Sequence, residues 1–319
     1  MKLPSRDAIE EARQVVYETM PPTPQFSWPL LNERTGTELW LKHENHTPLG
    51  AFKIRGGLYY FRRLRDSGEK VPAVITATRG NHGQSVALGA RREGIRPIVL
   101  VPRGNSESKN RAMRALGAEL VEFGDDFEAA RREACRRGSI EGLHFVQSFH
   151  PWLVTGVATY AYELLGGVGA IDTVYVPVGM GSGICGMCAA REALGLRTEI
   201  VGVVSAHAPA YFESFASGQA TERPVTTRLA DGMACRAADP EAVDLIRQHV
   251  SHIVMVSDDE VATAMRAIFE DTHNVAEGAG AAGLAAVLKE KDQLRGKRVA
   301  TVLCGGNVDR EVFARVLAA

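Results

Sequence analysis

The sequence predicts an α/β protein of two lobes, each an open, mainly parallel sheet flanked by helices. Three observations carry that expectation. From residue 73 onward, short runs of Val, Ile, Leu and Ala alternate with segments of helical spacing. Most of the runs, such as AVITA at 73–77 and PIVLV at 97–101, are apolar throughout, as strands covered on both faces are. The alternation also runs in two cycles, the second restarting after His150-Pro151, and no Ser- or Pro-rich linker parts them. A small lobe over 51–148 is therefore expected as an insertion in a large lobe built from 1–50 and 149–319. A chain of 319 residues, 45% hydrophobic, has ample apolar surface for both cores.

The elements follow in order. Residues 7–19 alternate charged and apolar positions as a helix does, and Pro21-Pro22 ends it. Residues 35–43 read as a strand with its lead-in turn, and 54–64 as a helix. In the first cycle, strands are expected at 73–77, 97–101, 119–123 and 143–147. Helices are expected from the turn at 79–84 to about 92, then at 107–116 and 127–137. The second cycle predicts helices at 152–165, from 184, at 240–249, 258–272 and 279–290, with strands at 173–178, 199–204, 252–256 and 298–304. Residues 225–235 look irregular. Gly305-Gly306 breaks the last strand before a final helix.

Composition excludes several classes. With a net charge of -1 the chain has no basic footprint for nucleic acid or for a membrane surface. The first twenty residues carry Lys2, Arg6, Asp7, Glu10, Glu11, Arg13 and Glu18, so no signal peptide is expected. No apolar run approaches the roughly 18 residues of a membrane span. The five cysteines lie scattered among the predicted elements and read as reduced, which suits a cytoplasmic protein.

Chemistry collects at four places. In Thr47-Pro48-Leu49-Gly50-Ala51-Phe52-Lys53 a lysine stands at a predicted helix start among apolar neighbours, which desolvate an amine and lower its pKa. The other three are turns at the C-terminal ends of predicted parallel strands, where ligands of open α/β sheets gather. Gly179-Met180-Gly181-Ser182-Gly183 opens a helix, and bare amides at a positive helix end suit a phosphate. Gly181-x-Gly183-x-x-Gly186 also resembles a dinucleotide fingerprint, but the next strand starts with Glu199 and ends near Ser205, without the acid that a ribose needs. Thr78-Arg79-Gly80-Asn81-His82 opens a second helix and is rich in donors for a carboxylate or a ring hydroxyl; the plainer reading makes Asn81 an N-cap. Cys304 ends a strand before Gly305-Gly306, either as a buried apolar residue or as a neutral group facing a ligand. Cys185-x-x-Cys188 and His43-Glu44-Asn45-His46 have metal-like spacing without a complete ligand set, and no metal site is expected.

An activated lysine, a phosphate cup, a polar anion loop and a neutral strand-end group together describe a pyridoxal phosphate site. Here the chain resembles the fold-type II pyridoxal phosphate enzymes, with a tryptophan synthase β-like fold, and within them the serine/threonine dehydratase and serine racemase group. The carriers are Gly50-Ala51-Phe52-Lys53-Ile54-Arg55-Gly56, Arg79-Gly80-Asn81-His82-Gly83-Gln84, the run from Val176-Pro177-Val178-Gly179, Glu277-Gly278-Ala279-Gly280 and Cys304-Gly305-Gly306-Asn307. The resemblance implies roles by position. Lys53 would hold the cofactor and act as base at the substrate Cα. Phe52 would pack on the pyridine ring, and Asn81 would bond its hydroxyl. Gly179, Met180, Gly181, Ser182 and Gly183 would cup the phosphate, and Cys304 would face the ring nitrogen. Glu277 joins this cofactor set. Thr78, Arg79, Gly80 and His82 would meet the substrate, with Arg79 on its carboxylate, on a second acidic group, or turned away to a surface acid.

The implied activity is loss of the β-hydroxyl and amino groups of an L-threonine- or L-serine-like amino acid, giving a 2-oxo acid and ammonia. Alternatives are elimination on 3-hydroxyaspartate or an aryl-serine, racemisation, or, in another class, an NAD-dependent oxidoreductase. A thiol at 304, ordinarily with a pKa of about 8.5, does not force a proton onto the ring, which favours elimination over transamination. Racemases of the group place a serine where this chain has Arg79, so efficient racemisation is not expected. The stretch 204–210 carries no carboxylate where cation-dependent relatives have two, so divalent-cation activation is not expected either. Control by a C-terminal regulatory domain is not expected, and a homodimer is.

Overall fold

The computed structural model describes residues 1–319. The chain opens with helix α1 (Arg6–Tyr17), whose first turn is capped by the Ser5 hydroxyl accepting from the Ala8 amide. Strand β1 (Gln25–Ser27), helix α2 (Pro29–Thr35), strand β2 (Glu38–His43) and helix α3 (Lys53–Asp66) follow. The first βα cycle then comprises β3 (Ala73–Ala77), α4 (Asn81–Arg92), β4 (Arg96–Val101), α5 (Glu107–Ala115), β5 (Glu119–Glu122), α6 (Phe127–Glu141) and β6 (His144–Phe145). The second comprises α7 (Pro151–Gly167), β7 (Thr173–Pro177), α8 (Ser182–Ala193), β8 (Glu199–Ser205), α9 (Ala210–Ser217), α10 (Pro240–His249), β9 (His252–Val256), α11 (Asp258–Thr272), α12 (Gly278–Glu290), β10 (Arg298–Leu303) and α13 (Arg310–Ala318).

Two sheets result. The smaller has the order β5-β4-β3-β6 and is parallel throughout. The larger has the order β1-β2-β10-β7-β8-β9, parallel except for β1 at its edge. All five residues of β3 are buried, as their unbroken apolar run requires. The main core lies on the larger sheet, where α7, α8 and α12 bury Leu164, Met187 and Leu284 against Val174, Val201 and Val302.

The sequence reading missed β1, α2 and α9. A three-residue edge strand and helices of seven and eight residues are too short to display a period. Thr35, read as the lead-in to a strand, is the last residue of α2, and Gly36 closes that helix with φ at +69°. The strand read at 143–147 shrinks to two residues, because β6 is an edge that pairs only with β3.

Helix α3 is clamped between α4 and α7. A Cβ on Gly57 would stand 2.2 Å from the Ser85 hydroxyl oxygen, and one on Gly156 would stand 2.4 Å from the Arg55 carbonyl. Only glycine permits these approaches. Behind the first turn of α3 lies a buried charge cluster. The Arg55 guanidinium meets both Glu44 oxygens, at 2.7 and 2.9 Å, and both Glu163 oxygens, at 2.6 and 2.9 Å. Lys42 donates to Glu163 at 2.6 Å and to the Thr23 carbonyl at 2.8 Å. Burial works to raise the Glu163 carboxyl, yet Arg55 and Lys42 hold it below the ordinary value.

The four charges balance, and no side chain among them is more than 6% exposed. Removing Arg55 leaves one lysine against two desolvated carboxylates, which costs about 3–5 kcal/mol. Arg55→Met is accordingly expected to lower the unfolding free energy from urea titration by an amount in that range, and the midpoint with it, whereas Arg131→Met, on the surface of α6, shifts both little. Equal midpoints for the two variants would show that the cluster does not stabilise the fold.

Candidate active site

The chemistry sits between the two sheets, and the position of Lys53 is set by backbone pairing. The Phe52 amide donates to the Cys304 carbonyl at 3.0 Å, the Gly306 amide to the Gly50 carbonyl at 2.9 Å, and Ala51 bridges Gly305. The lysine turn is thus stitched to the turn that ends β10. Ser85 on α4 donates to the Lys53 carbonyl at 2.6 Å. The amine then crosses the cavity to Ser182 Oγ, 2.8 Å away, and stands 4.8 Å from the centroid of the Phe52 ring. Burial pushes the amine down to about 8 from 10.5.

The turn after β7 forms a cup. Gly181 caps α8 with φ at +100°, a conformation that side chains seldom adopt. A Cβ on Gly179 would stand 2.5 Å from the Gly232 carbonyl oxygen. The first amides of α8 have no intrahelical partner and face the cavity with the positive end of the helix. The Met180 carbonyl is held by the Tyr211 hydroxyl at 3.0 Å, which fixes the turn from behind.

The turn after β3 is organised by Thr78, whose Oγ1 accepts from the Gly80 amide at 2.9 Å and the Gly83 amide at 3.3 Å. The Gly80 amide is therefore engaged, while the Thr78 hydroxyl proton and the amides of Asn81 and His82 remain to meet a ligand. Gly80 is the N-cap of α4, not Asn81, so the Asn81 side chain is free for other work. Its Nδ2 donates to Glu277 Oε1 at 2.6 Å, and its Oδ1 accepts from Asn307 Nδ2 at 2.8 Å. Burial raises the Glu277 carboxyl above its ordinary value, against Lys109 and Asn81, which lower it. His82 is buried, with Nε2 unpartnered, and desolvation drives it down to about 3, so the ring is neutral.

Cys304 is buried at the end of β10, and burial, with the Glu277 carboxylate beside it, pushes its thiol far up. It is a neutral group at any working pH. Every residue given a cofactor or substrate role from the sequence, from Phe52 to Cys304, lines this one cavity. Cys185 and Cys188 are buried in α8, and His43 accepts from Trp28 Nε1 at 3.0 Å, so those two motifs are structural.

The structure adds Lys109, Asp231 and Cys235 to the cavity, and gives Asn307, quoted above only within its motif, a hydrogen bond to Asn81. Lys109 lies on an ordinary amphipathic helix, and Asp231 in the stretch read as irregular. The only local signal for Asp231 was the following glycine, whose carbonyl packs on Gly179. The arrangement fits a phosphorylated aldehyde. It offers a glycine cup at a helix N-terminus, a desolvated amine 2.8 Å from the cup's serine, and a neutral thiol on the third side.

The family described as pyridoxal-phosphate dependent enzyme matches residues 16–305. The chain is 34% identical over 310 residues to an L-threonine ammonia-lyase of Thermotoga maritima, covering 97% of this chain and 77% of the relative. It is 33% identical over 311 residues to the catabolic L-threonine dehydratase TdcB of Escherichia coli, covering 95% and 93%. It spans about 60% of the length of the biosynthetic L-threonine dehydratases that it also matches. Among solved structures, maize serine racemase superposes with a TM-score of 0.91 at 27% identity, covering 99% of this chain and 98% of that one.

A lysine amine attacks an aldehyde only as the free base. With its pKa held at about 8, the rate at which the apoprotein takes up pyridoxal phosphate is expected to rise with pH through about 8 and then level off. Stopped-flow absorbance on mixing reads this directly. A midpoint near 10 would mean that the pocket does not desolvate the amine.

Proposed function

The chain belongs to the pyridoxal-phosphate dependent enzymes, within the serine/threonine dehydratase group, and from that premise we propose that it is an ammonia-lyase acting on L-threonine and L-serine. The observation that carries this reading is the Lys53 amine, desolvated at a helix start and 2.8 Å from the serine of a glycine cup. The Gly179–Gly183 turn and the N-terminus of α8 would bind the phosphate, Phe52 and Asn81 would flank the ring, and Cys304 would stand toward its nitrogen. When bound, the pyridoxal group supplies an electron sink that makes the substrate Cα proton acidic.

The residues of the chain do the rest. Asn81 and His82 amides, with the Thr78 hydroxyl, hold the substrate carboxylate at the positive end of α4. Lys53, neutral in a substantial fraction near pH 8, takes the proton at Cα. The cavity walls, including Phe52, Met180 and Met233, keep solvent away from that carbon. Cys304 presents no charge, so nothing on its side would draw the electrons released at Cα deep into the ring, and loss of the β-hydroxyl competes well. We further assign the protein to the cytoplasm as a homodimer; five free cysteines support the first assignment. No helix is long and apolar enough to cross a membrane.

The purified holoenzyme is expected to release 2-oxobutanoate from L-threonine and pyruvate from L-serine. Lys53→Ala should retain less than about 1% of that turnover, since the covalent anchor and the base are lost together. Turnover above that level would place the base elsewhere.

Cys304→Ser should be mild, because a hydroxyl is equally neutral. Cys304→Asp should slow release of the 2-oxo acid by about tenfold or more and raise transamination, read as conversion of the bound cofactor to its amine form at about 330 nm. An aspartate variant as active as the serine variant would reduce Cys304 to packing.

A further inference from the structure

Two cations of the cavity have no part in the reaction as described. Lys109 on α5 is 8% exposed, with its stem packed over Gly80. Its Nζ lies 3.8 Å from Asp231 Oδ2 and 3.8 Å from Glu277 Oε2, and it makes no hydrogen bond to either. Arg79, in the turn before α4, reaches the same carboxylate from the other side, with Nη2 3.7 Å from Asp231 Oδ1. Its Nε is buried and has no partner. These separations exceed hydrogen-bond length, so one aspartate stands loosely between two cations.

The other arginines of the neighbouring groove that Arg79 also lines are tightly paired. Arg236 lies 2.6 Å from Glu222, and Arg223 lies 2.5 Å from Glu213. A buried donor left without an acceptor is costly, and at Arg79 this donor lies at the wall of the ligand cavity. The phosphate and the α-carboxylate already have their own donors, in the cup and at the start of α4. Arg79 and Lys109, both on the small-sheet side of the cavity, face Asp231 and Glu277 without a hydrogen bond to either, so their donors stay open to a further acceptor.

We propose that Arg79, supported by Lys109, receives a second carboxylate on the substrate side chain. The enzyme then acts on 2-amino-3-hydroxy dicarboxylates, of which 3-hydroxyaspartate is the smallest, as well as on threonine and serine. This rests on the lyase reading above. The chemistry balances without a further reactant. The Cα proton goes to Lys53, and the Cβ–O bond breaks with its electron pair as hydroxide, which leaves as water by taking, in the net balance, the proton that Lys53 accepted. The electrons of the Cα–H bond form the Cα–Cβ double bond. The released enamine tautomerises to an imine, one water adds, and ammonia leaves, so 3-hydroxyaspartate becomes oxaloacetate and ammonia. A planar guanidinium grips a carboxylate through two parallel hydrogen bonds, which a methyl group in threonine cannot use.

The test pairs turnover with binding. In the holoenzyme, L-threo- and L-erythro-3-hydroxyaspartate are assayed for oxaloacetate and L-threonine for 2-oxobutanoate. Calorimetry compares succinate, which carries two carboxylates, with butyrate. Oxaloacetate should form, and succinate should bind at least tenfold more tightly than butyrate. In Arg79→Ala the ratio of kcat/KM for 3-hydroxyaspartate over threonine should fall at least tenfold, with Arg79→Lys in between, and the preference for succinate should vanish. Threonine turnover without oxaloacetate from either isomer overturns the proposal and leaves the lyase reading intact. An equal loss on both substrates in Arg79→Ala also overturns it, because Arg79 would then hold the common α-carboxylate. If neither substrate yields a 2-oxo acid, the lyase reading fails. Succinate bound no more tightly than butyrate overturns the dicarboxylate site in every case.

Discussion

The site depends on a buried knot of charge that never touches a ligand. Arg55 is two residues beyond Lys53, and its guanidinium is gripped from two directions by Glu44 and Glu163. Those acids come from the end of β2 and from α7, so the knot ties the first turn of α3 to the larger sheet and to the helix that begins the second cycle. Desolvating four charges is expensive, and the geometry must be good enough to offset it. Tyr17 of α1 donates to Glu163 at 2.9 Å, and Thr23 donates to Glu44 at 2.6 Å, which satisfies lone pairs the cations leave over. The result is a helix start that cannot rotate or slide without exposing a carboxylate to apolar surroundings. Placing a reactive amine on such an element holds it in one position.

The second constraint is the seam between the lysine turn and the end of β10. Backbone hydrogen bonds from Phe52 to Cys304 and from Gly306 to Gly50 put the amine and the thiol on adjacent strips of chain. Asn307 extends the seam, donating to the Leu49 carbonyl at 2.8 Å and to Asn81 at the same distance. Asn81 in turn donates to Glu277, whose own amide donates to Gly305. The small and large sheets are therefore joined at the cavity floor by side-chain amides, while the upper wall carries the loose cluster of Arg79, Asp231 and Lys109. A tightly bonded floor and a loosely bonded upper wall suit a site that keeps its cofactor and exchanges its substrate.

The pKa directions make chemical sense together. Lys53, His82, Cys235 and Cys304 all sit in one desolvated space, and each is pushed toward its neutral form. A cavity that neutralises its own titratable groups leaves the charges of its ligands to be met by helix ends and by the few cations that stay charged. Arg79 is one of these, since a guanidinium does not give up its proton under working conditions.

Much of this was present in the order of residues alone. The apolar runs and their helical intervals settled a parallel α/β architecture, because buried strands and amphipathic helices leave unlike patterns. The lysine among apolar neighbours and the glycine-rich turn before a helix were readable for local reasons, since desolvation by near neighbours and bare amides at a helix start need no distant partner. What sequence could not supply was anything that depends on residues far apart in the chain. The pairing of Arg55 with Glu163 spans 108 positions, and Lys53 meets Ser182 across 129. Lys109 carries no local signal in the sequence, and folding buries it within 3.8 Å of Asp231 and Glu277. Gly80 was read as a ligand donor, yet its amide is taken up by the Thr78 hydroxyl oxygen. Charge and hydrogen bonding act over a few ångströms of space, and only the tertiary structure decides which residues come that close.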